Sequence, residues 1–265
     1  WLGRVEPWNG RGADDGWRAF NYVHVINTYY NMYRISRIYH RDWLDAPHVW
    51  IYKAYEYAKA MFSYWMFPDG IGATEIGNMG EVVLATEIVG ALKDQNCRKE
   101  ADERQEIITE KARFFAGKTY PYGSEMAYDS TAYEAVYGYG KAIMDERVME
   151  KTMEVSLANR GWQPEWYLYM TDLRGGGDSH WNVSYMTQLG AYPIYDWVLE
   201  QRHYQVDLMK ALYGAYLAGF AIYNSGGYWS DEPENQGATA WIFHGVNGIF
   251  TGKDRDGATV YTGHV

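Results

Sequence analysis

The stretch Trp17-Arg18-Ala19-Phe20-Asn21-Tyr22-Val23-His24-Val25-Ile26-Asn27-Thr28-Tyr29-Tyr30-Asn31-Met32-Tyr33 sets the fold class. Phe20, Val23, Ile26, Tyr30 and Tyr33 recur three and four residues apart, the spacing of one helix face and not the alternation of a half-buried strand. The same period carries on to about residue 39. It returns over roughly 48–66, 81–93, 98–115, 131–144, 146–159, 184–201 and 206–223. The fourth of these helices is the most polar, with Glu103, Glu106, Glu110 and Lys111 read as its outer side. Pro193 predicts a kink or a restart in the seventh, because proline cannot donate to the helical ladder. Beyond Asn224 the chain turns Gly-rich, and short strands are compatible with it there.

The connections between these helices alternate in length. Residues 41–47, 94–96, 145 and 203–205 are short joints, whereas 1–16, 67–80, 117–130, 162–183 and 224–240 are long. In a string of antiparallel hairpins alternate loops emerge at opposite ends, so the long loops are expected together on one face. Residues that do chemistry sit preferentially on loops held by a rigid scaffold, which makes that face the expected site. The first two helices are aromatic over much of their circumference, as inner elements would be. The expected fold class is therefore all-α, an (α/α) toroid of antiparallel helical hairpins forming one domain over residues 1–265. Four hairpins are legible where complete barrels of this class often have six, so two lie outside this chain or the toroid is incomplete.

Composition narrows the function. Aromatic residues reach 17%, with 26 Tyr and 12 Trp, and rings of that kind pair an apolar face with a polar tip, as sugars do. The same rings also serve as ordinary core. The net charge of −10 and the lack of any Lys/Arg run exclude a nucleic-acid binder and disfavour polyanionic substrates. A lone cysteine, Cys97, excludes an internal disulfide framework and a cysteine metal cluster. No apolar run is long enough for a membrane span. The chain opens at Trp1 and ends at Val265 after a polar stretch, so it reads as a piece of a longer polypeptide with other domains as partners.

Each long loop carries candidate site residues. In the first, Asp14 and Asp15 read either as helix-start acids or, for Asp15, as a clamp on sugar hydroxyls between Trp8 and Trp17. The second has glycines but no Lys-Ser/Thr of a phosphate loop, and Glu75 is its candidate wall residue. The third, Tyr120-Pro121-Tyr122-Gly123-Ser124-Glu125-Met126-Ala127-Tyr128-Asp129-Ser130-Thr131, is the sharpest. Thr131 and Glu134 have the spacing of a capping box and read as structural. Glu125, flanked by Tyr122 and Tyr128, is a carboxylate in aromatic surroundings, where desolvation lets it hold a proton for a leaving oxygen. Asp129 follows as a second acid or a helix-start residue. The fourth loop brings Asp178, His180 and Trp181 after a triple glycine, and Asp-x-His alone is too few ligands for a metal. In the fifth, Trp229 and three acids border a cleft or simply face water.

Two carboxyl groups, one protonating a leaving oxygen and one acting as base or nucleophile, are what glycosidic-bond hydrolysis needs. Glu125, Asp129 and Asp178 are the candidates, with Trp8, Asp15, Trp17, Glu75, Tyr122, Tyr128, His180, Trp181 and Trp229 as substrate contacts. No cofactor and no metal are expected.

The strings Gly16-Trp17-Arg18-Ala19-Phe20-Asn21-Tyr22, Asn27-Thr28-Tyr29-Tyr30-Asn31-Met32-Tyr33-Arg34, Tyr122-Gly123-Ser124-Glu125 with Asp129-Ser130-Thr131, Glu134-Ala135-Val136-Tyr137 and Trp181-Asn182-Val183-Ser184-Tyr185-Met186-Thr187-Gln188-Leu189-Gly190 resemble a bacterial family of six-hairpin glycosidase-like proteins. That family is catalogued mainly as a domain of unknown function in larger, often secreted, glycan-related proteins. The resemblance implies an (α/α) toroid, a glycoside-hydrolase-like role and an extracellular or periplasmic location. It assigns no catalytic residue. The alternatives are a polysaccharide lyase using His180, Tyr185 and Asn182, and a non-catalytic carbohydrate-binding domain.

Overall fold

In the computed structural model, residues 19–39, 41–63, 77–119, 132–158 and 191–224 are described, together with strand segments at 226–227, 239–240, 251–253 and 259–261. Helix dominates them. In chain order the helices are α1 (Ala19–Ile38), α2 (Pro47–Ser63), α3 (Val82–Thr86), α4 (Ile88–Asp94), α5 (Arg98–Ala116), α6 (Tyr133–Ala142), α7 (Glu146–Ala158), α8 (Ala191–Tyr195) and α9 (Val206–Asn224). The chain divides into two compact units, Trp1–Thr152 and Met153–Val265.

The first unit is built from hairpins laid side by side. Tyr22 and Tyr29 of α1 pack on Tyr57 of α2, and Tyr29 also stacks on Trp50, so these two helices run antiparallel. Asn27, Tyr30 and Arg37 of α1 reach Gly80, Glu87 and Asp94 in that order, which makes α1 parallel to α3 and α4. In α2, Tyr55 donates to Glu103 and Phe62 lies beside Arg104 and Lys111, so α2 runs parallel to α5. One layer thus contains α1, α3–α4 and α6, and the other α2, α5 and the start of α7. Val23, Ile26, Ile51, Ala58, Met61, Leu84, Ile88 and Leu92 fill the core between the first hairpins. Ile108, Ala112 and Phe115 do the same against Ala132, Val136 and Tyr139.

The helix buried on all sides is α6, and not α1 or α2 as their aromatic content suggests. Every residue from Ala132 to Gly140 is buried, whereas α1 keeps His24, Thr28, Asn31 and Ile35 exposed and α2 keeps Tyr52, Glu56 and Lys59 exposed. Two glycines make this possible. A Cβ on Gly138 would stand 2.9 Å from a methyl of Val82, and one on Gly140 would stand 2.9 Å from a methyl of Val148. The third periodic stretch, read as one helix, is broken at Glu87 into α3 and α4. The Thr86 hydroxyl donates to the Val82 carbonyl one turn back at 2.8 Å, a bond that competes with the helical ladder and bends it.

The joints after α4 and α6 share one device. At the end of α4 the amide of Cys97 donates to the Leu92 carbonyl and that of Asn96 to Lys93, with Asn96 at φ 62°. At the end of α6 the amide of Asp145 donates to Gly140 and that of Met144 to Lys141, with Met144 at φ 57°. Both are six-residue helix stops that use a left-handed residue to satisfy the last carbonyls. Asp145 then caps α7, its side chain accepting from the Val148 amide at 3.1 Å.

In the second unit, Pro193 occupies the third position of α8, early enough for its missing N–H to cost little. A π-helical turn, Asp196–Glu200, follows. Trp197 stacks on His203 with centroids 4.1 Å apart. Leu208, Ala211 and Ala215 form the buried stripe of α9. Beyond Asn224, where the Gly-rich sequence is compatible with short strands, two short antiparallel ladders occur, Gly226–Gly227 with Thr239–Ala240 and Thr251–Lys253 with Thr259–Tyr261.

Candidate functional site

The second and third long loops leave from the ends of α2 and α5, which are parallel, and return to α3 and α6. Their returns meet. A Cβ on Gly77 would lie 2.9 Å from the Cβ of Ala132, so the two loops rejoin the scaffold side by side at one end of the hairpins. The short joint at 94–96, marked by the Arg37–Asp94 ion pair at 3.1 Å, lies at the other end.

Directly behind that meeting point is a buried polar cluster. Glu81, in the turn that opens α3, is fully buried. One of its oxygens accepts from Lys111 Nζ of α5 and from the Tyr139 hydroxyl of α6, both at 2.5 Å. The other accepts from the Asn78 amide at 2.8 Å and from its side-chain nitrogen at 2.9 Å. Four donors on two oxygens are the full complement of a carboxylate. Lys111 lies over the rings of Tyr139, Phe62 and Phe115 at 4.9 to 5.8 Å. Burial draws its ammonium below the ordinary lysine range while Glu81 pulls the other way. Burial and Glu81 together hold the Tyr139 phenol well above its usual value.

Two further buried groups adjoin. Arg104, seven residues before Lys111, lies over Tyr55 and Phe62 and, among the described residues, meets the carboxylate of Glu103 at 3.4 Å. Its Nε and Nη1 have no hydrogen-bond partner. Glu134, the second residue of α6, is 2% exposed. Thr131, its partner in the expected capping box, lies outside the described residues, and α6 begins at Tyr133 with Ala132 before it. The Glu134 carboxyl faces the start of α3, where the backbone N–H groups of Val82 and Gly80 favour its ionised form. Burial first, and then Glu81, push the Glu134 carboxyl up to about 8 against those two N–H donors. At neutral pH it is a proton holder.

Chemically the cluster combines a fixed ion pair with a neutral buried acid. Glu81 is saturated by its donors and offers nothing to a metal. Among the described residues no group of three or more His, Cys, Asp or Glu is placed to hold one. No helix among them is long and apolar enough to cross a membrane.

Every candidate residue of the loops lies outside the described residues: Trp8, Asp15, Trp17, Glu75, Tyr122, Glu125, Tyr128, Asp129, Asp178, His180, Trp181 and Trp229. The buried cluster escapes a reading of the sequence. Local pattern puts Lys111 on the outer side of its helix, yet it is fully buried. A signal for this is nonetheless present in α5. Ala101, Arg104, Ile108, Lys111, Ala112 and Phe115 follow the apolar spacing, and two cations on such a stripe require partners opposite them.

These features define a predominantly helical scaffold with a buried acid–base cluster beside the meeting point of Gly77 and Ala132. Residues 3–189 match a family of unknown function, DUF5695, and the chain belongs to that family. No curated protein and no solved structure matches it.

Proposed function

We propose that this chain is the scaffold of a glycoside hydrolase acting on a neutral glycan or oligosaccharide, with its hairpins forming an arc of an (α/α) toroid. The observation that carries this reading is the side-by-side return of the second and third loops at Gly77 and Ala132, which anchors the carboxylate-bearing and aromatic segments at one end of the hairpins. Glu125 and Asp129 from the third loop and Asp178 from the fourth supply the acid and the base or nucleophile. Trp8, Asp15, Trp17, Glu75, Tyr122, Tyr128, His180, Trp181 and Trp229 contact the sugar by stacking and hydroxyl bonding. An extracellular or periplasmic setting, alongside other domains of the same polypeptide, belongs to the same proposal.

The test is digestion of a panel of neutral glycans, followed by product chromatography and ultraviolet absorbance. Wild type should release saturated reducing sugars. Glu125→Gln, which keeps shape and removes the titrating proton, should lower turnover by at least about 100-fold with binding nearly unchanged. Full activity in that variant would remove Glu125 as the acid. Ultraviolet-absorbing products would reassign the chain as a lyase working through His180 or Tyr185. Sugar binding without any product, surviving loss of all three carboxylates, would make it a binding domain.

A further inference from the structure

The chain leaves α5 differently from the way it leaves α4 and α6. Those two helices stop on a left-handed residue and close with their own backbone amides. At the end of α5, Gly117 stays right-handed at φ −79°. Its amide donates to the carbonyls of Arg113 and Phe114, and that of Lys118 to Phe115. The next acceptors are met from another helix. Arg147 Nη2 of α7 donates to the Ala116 carbonyl at 2.9 Å. Lys151 Nζ, one turn further along α7, donates to the carbonyls of Thr119 and, at 3.3 Å, of Lys118. Two cations therefore stand at the negative end of the α5 dipole and bind carbonyls that a helix end leaves over. They are presented from a fixed element. Val148, between them in the chain, is buried, and a Cβ on Gly140 would stand 2.9 Å from one of its methyls. Asp145, 3.9 Å from Arg147, orients the guanidinium from its other side.

We propose that Arg147 and Lys151 are a two-point staple that sets where the chain leaves α5, and that they are thereby positioning residues for Glu125 and Asp129, which follow within ten residues of Thr119. The second role rests on the hydrolase reading; the staple itself does not. Both side chains act through the backbone and not on substrate. A segment whose root swings loses the alignment of the groups it carries, and a misplacement on the order of 1 Å costs about 100-fold in rate.

Hydrogen–deuterium exchange on the full chain tests the staple. Residues 115–119 are read against 51–60 of α2 in wild type, Arg147→Met, Lys151→Met and the double variant. Each single change should raise the opening constant of 115–119 about threefold and the double change about tenfold, with α2 unaffected. The bonds lie at the surface, so the melting temperature should fall by no more than about 5 °C. Lys151→Arg keeps a cationic donor and should exchange within about twofold of wild type. Unchanged exchange at 115–119 in the double variant would overturn the staple. On a glycan that wild type cleaves, the double variant should lose at least about tenfold in kcat with KM within about twofold, and Lys151→Arg should stay near wild type. Loosened exchange with unchanged kcat would overturn the positioning role. If wild type cleaves no glycan, the hydrolase reading falls and takes that role with it, while exchange still decides the staple.

Discussion

At the scale of single residues, the Glu81–Lys111 pair is an ion pair taken wholly out of water. Both side chains are fully buried, and each charge is tolerated only because the other stands 2.5 Å away. Tyr139 and Asn78 occupy the remaining oxygen sites, which keeps the acid from competing for water. Lys111→Met fills the same space but strands Glu81, so it should destabilise the fold by about 3–5 kcal/mol. Adding Glu81→Gln should recover part of that loss, because the stranded charge disappears with it. Chemical denaturation of the two single variants and the double variant measures the coupling, and strict additivity would show that the pair carries no mutual stabilisation.

At the scale of elements, the hairpins depend on how their short joints stop one helix and start the next. Met144 holds a left-handed conformation at φ 57° and is 88% exposed, so packing does not compensate its steric strain. Met144→Gly should therefore stabilise the chain by about 1 kcal/mol, a rise in melting temperature of a few degrees at most. Differential scanning calorimetry checks it, and a fall in melting temperature would mean that the entropy lost by glycine outweighs the strain relieved. Asn96 occupies the equivalent place after α4 at φ 62°, and asparagine tolerates it better, so the same change there should gain less. Both joints are legible as short from the residue pattern alone. A helix period that stops and restarts within three residues leaves space for little else.

At the scale of the whole molecule, the formal charge of −10 governs what the surface favours. A negative field repels anionic polymers and is indifferent to neutral ones. If the ligand is a neutral glycan, its affinity should change by less than about twofold between about 50 mM and about 500 mM salt, as read by calorimetric titration. A steep loss of affinity with salt would point to a charged ligand and a local basic site.

The helical class, the positions of most helices to within a few residues, and the alternation of short and long connections are all written in the amino-acid order. They follow from local chemistry. The period of Val23, Ile26, Tyr30 and Tyr33 needs no partner to be read, and Pro193 acts on its own backbone. Which helix is enclosed, and which polar residues are buried, depends instead on contacts between distant segments. The burial of α6 requires Val82 and Val148 to approach Gly138 and Gly140 from neighbouring elements. The burial of Glu134 is hidden for the same reason: an acid in the first turn of a helix is ordinarily solvated, and its enclosure beside Glu81, more than fifty residues earlier, is set by tertiary packing. Lys111 likewise has the look of a surface residue. A charged residue on a helix is cheapest in water, and only the arrival of Glu81, thirty residues away in the chain, makes its burial possible.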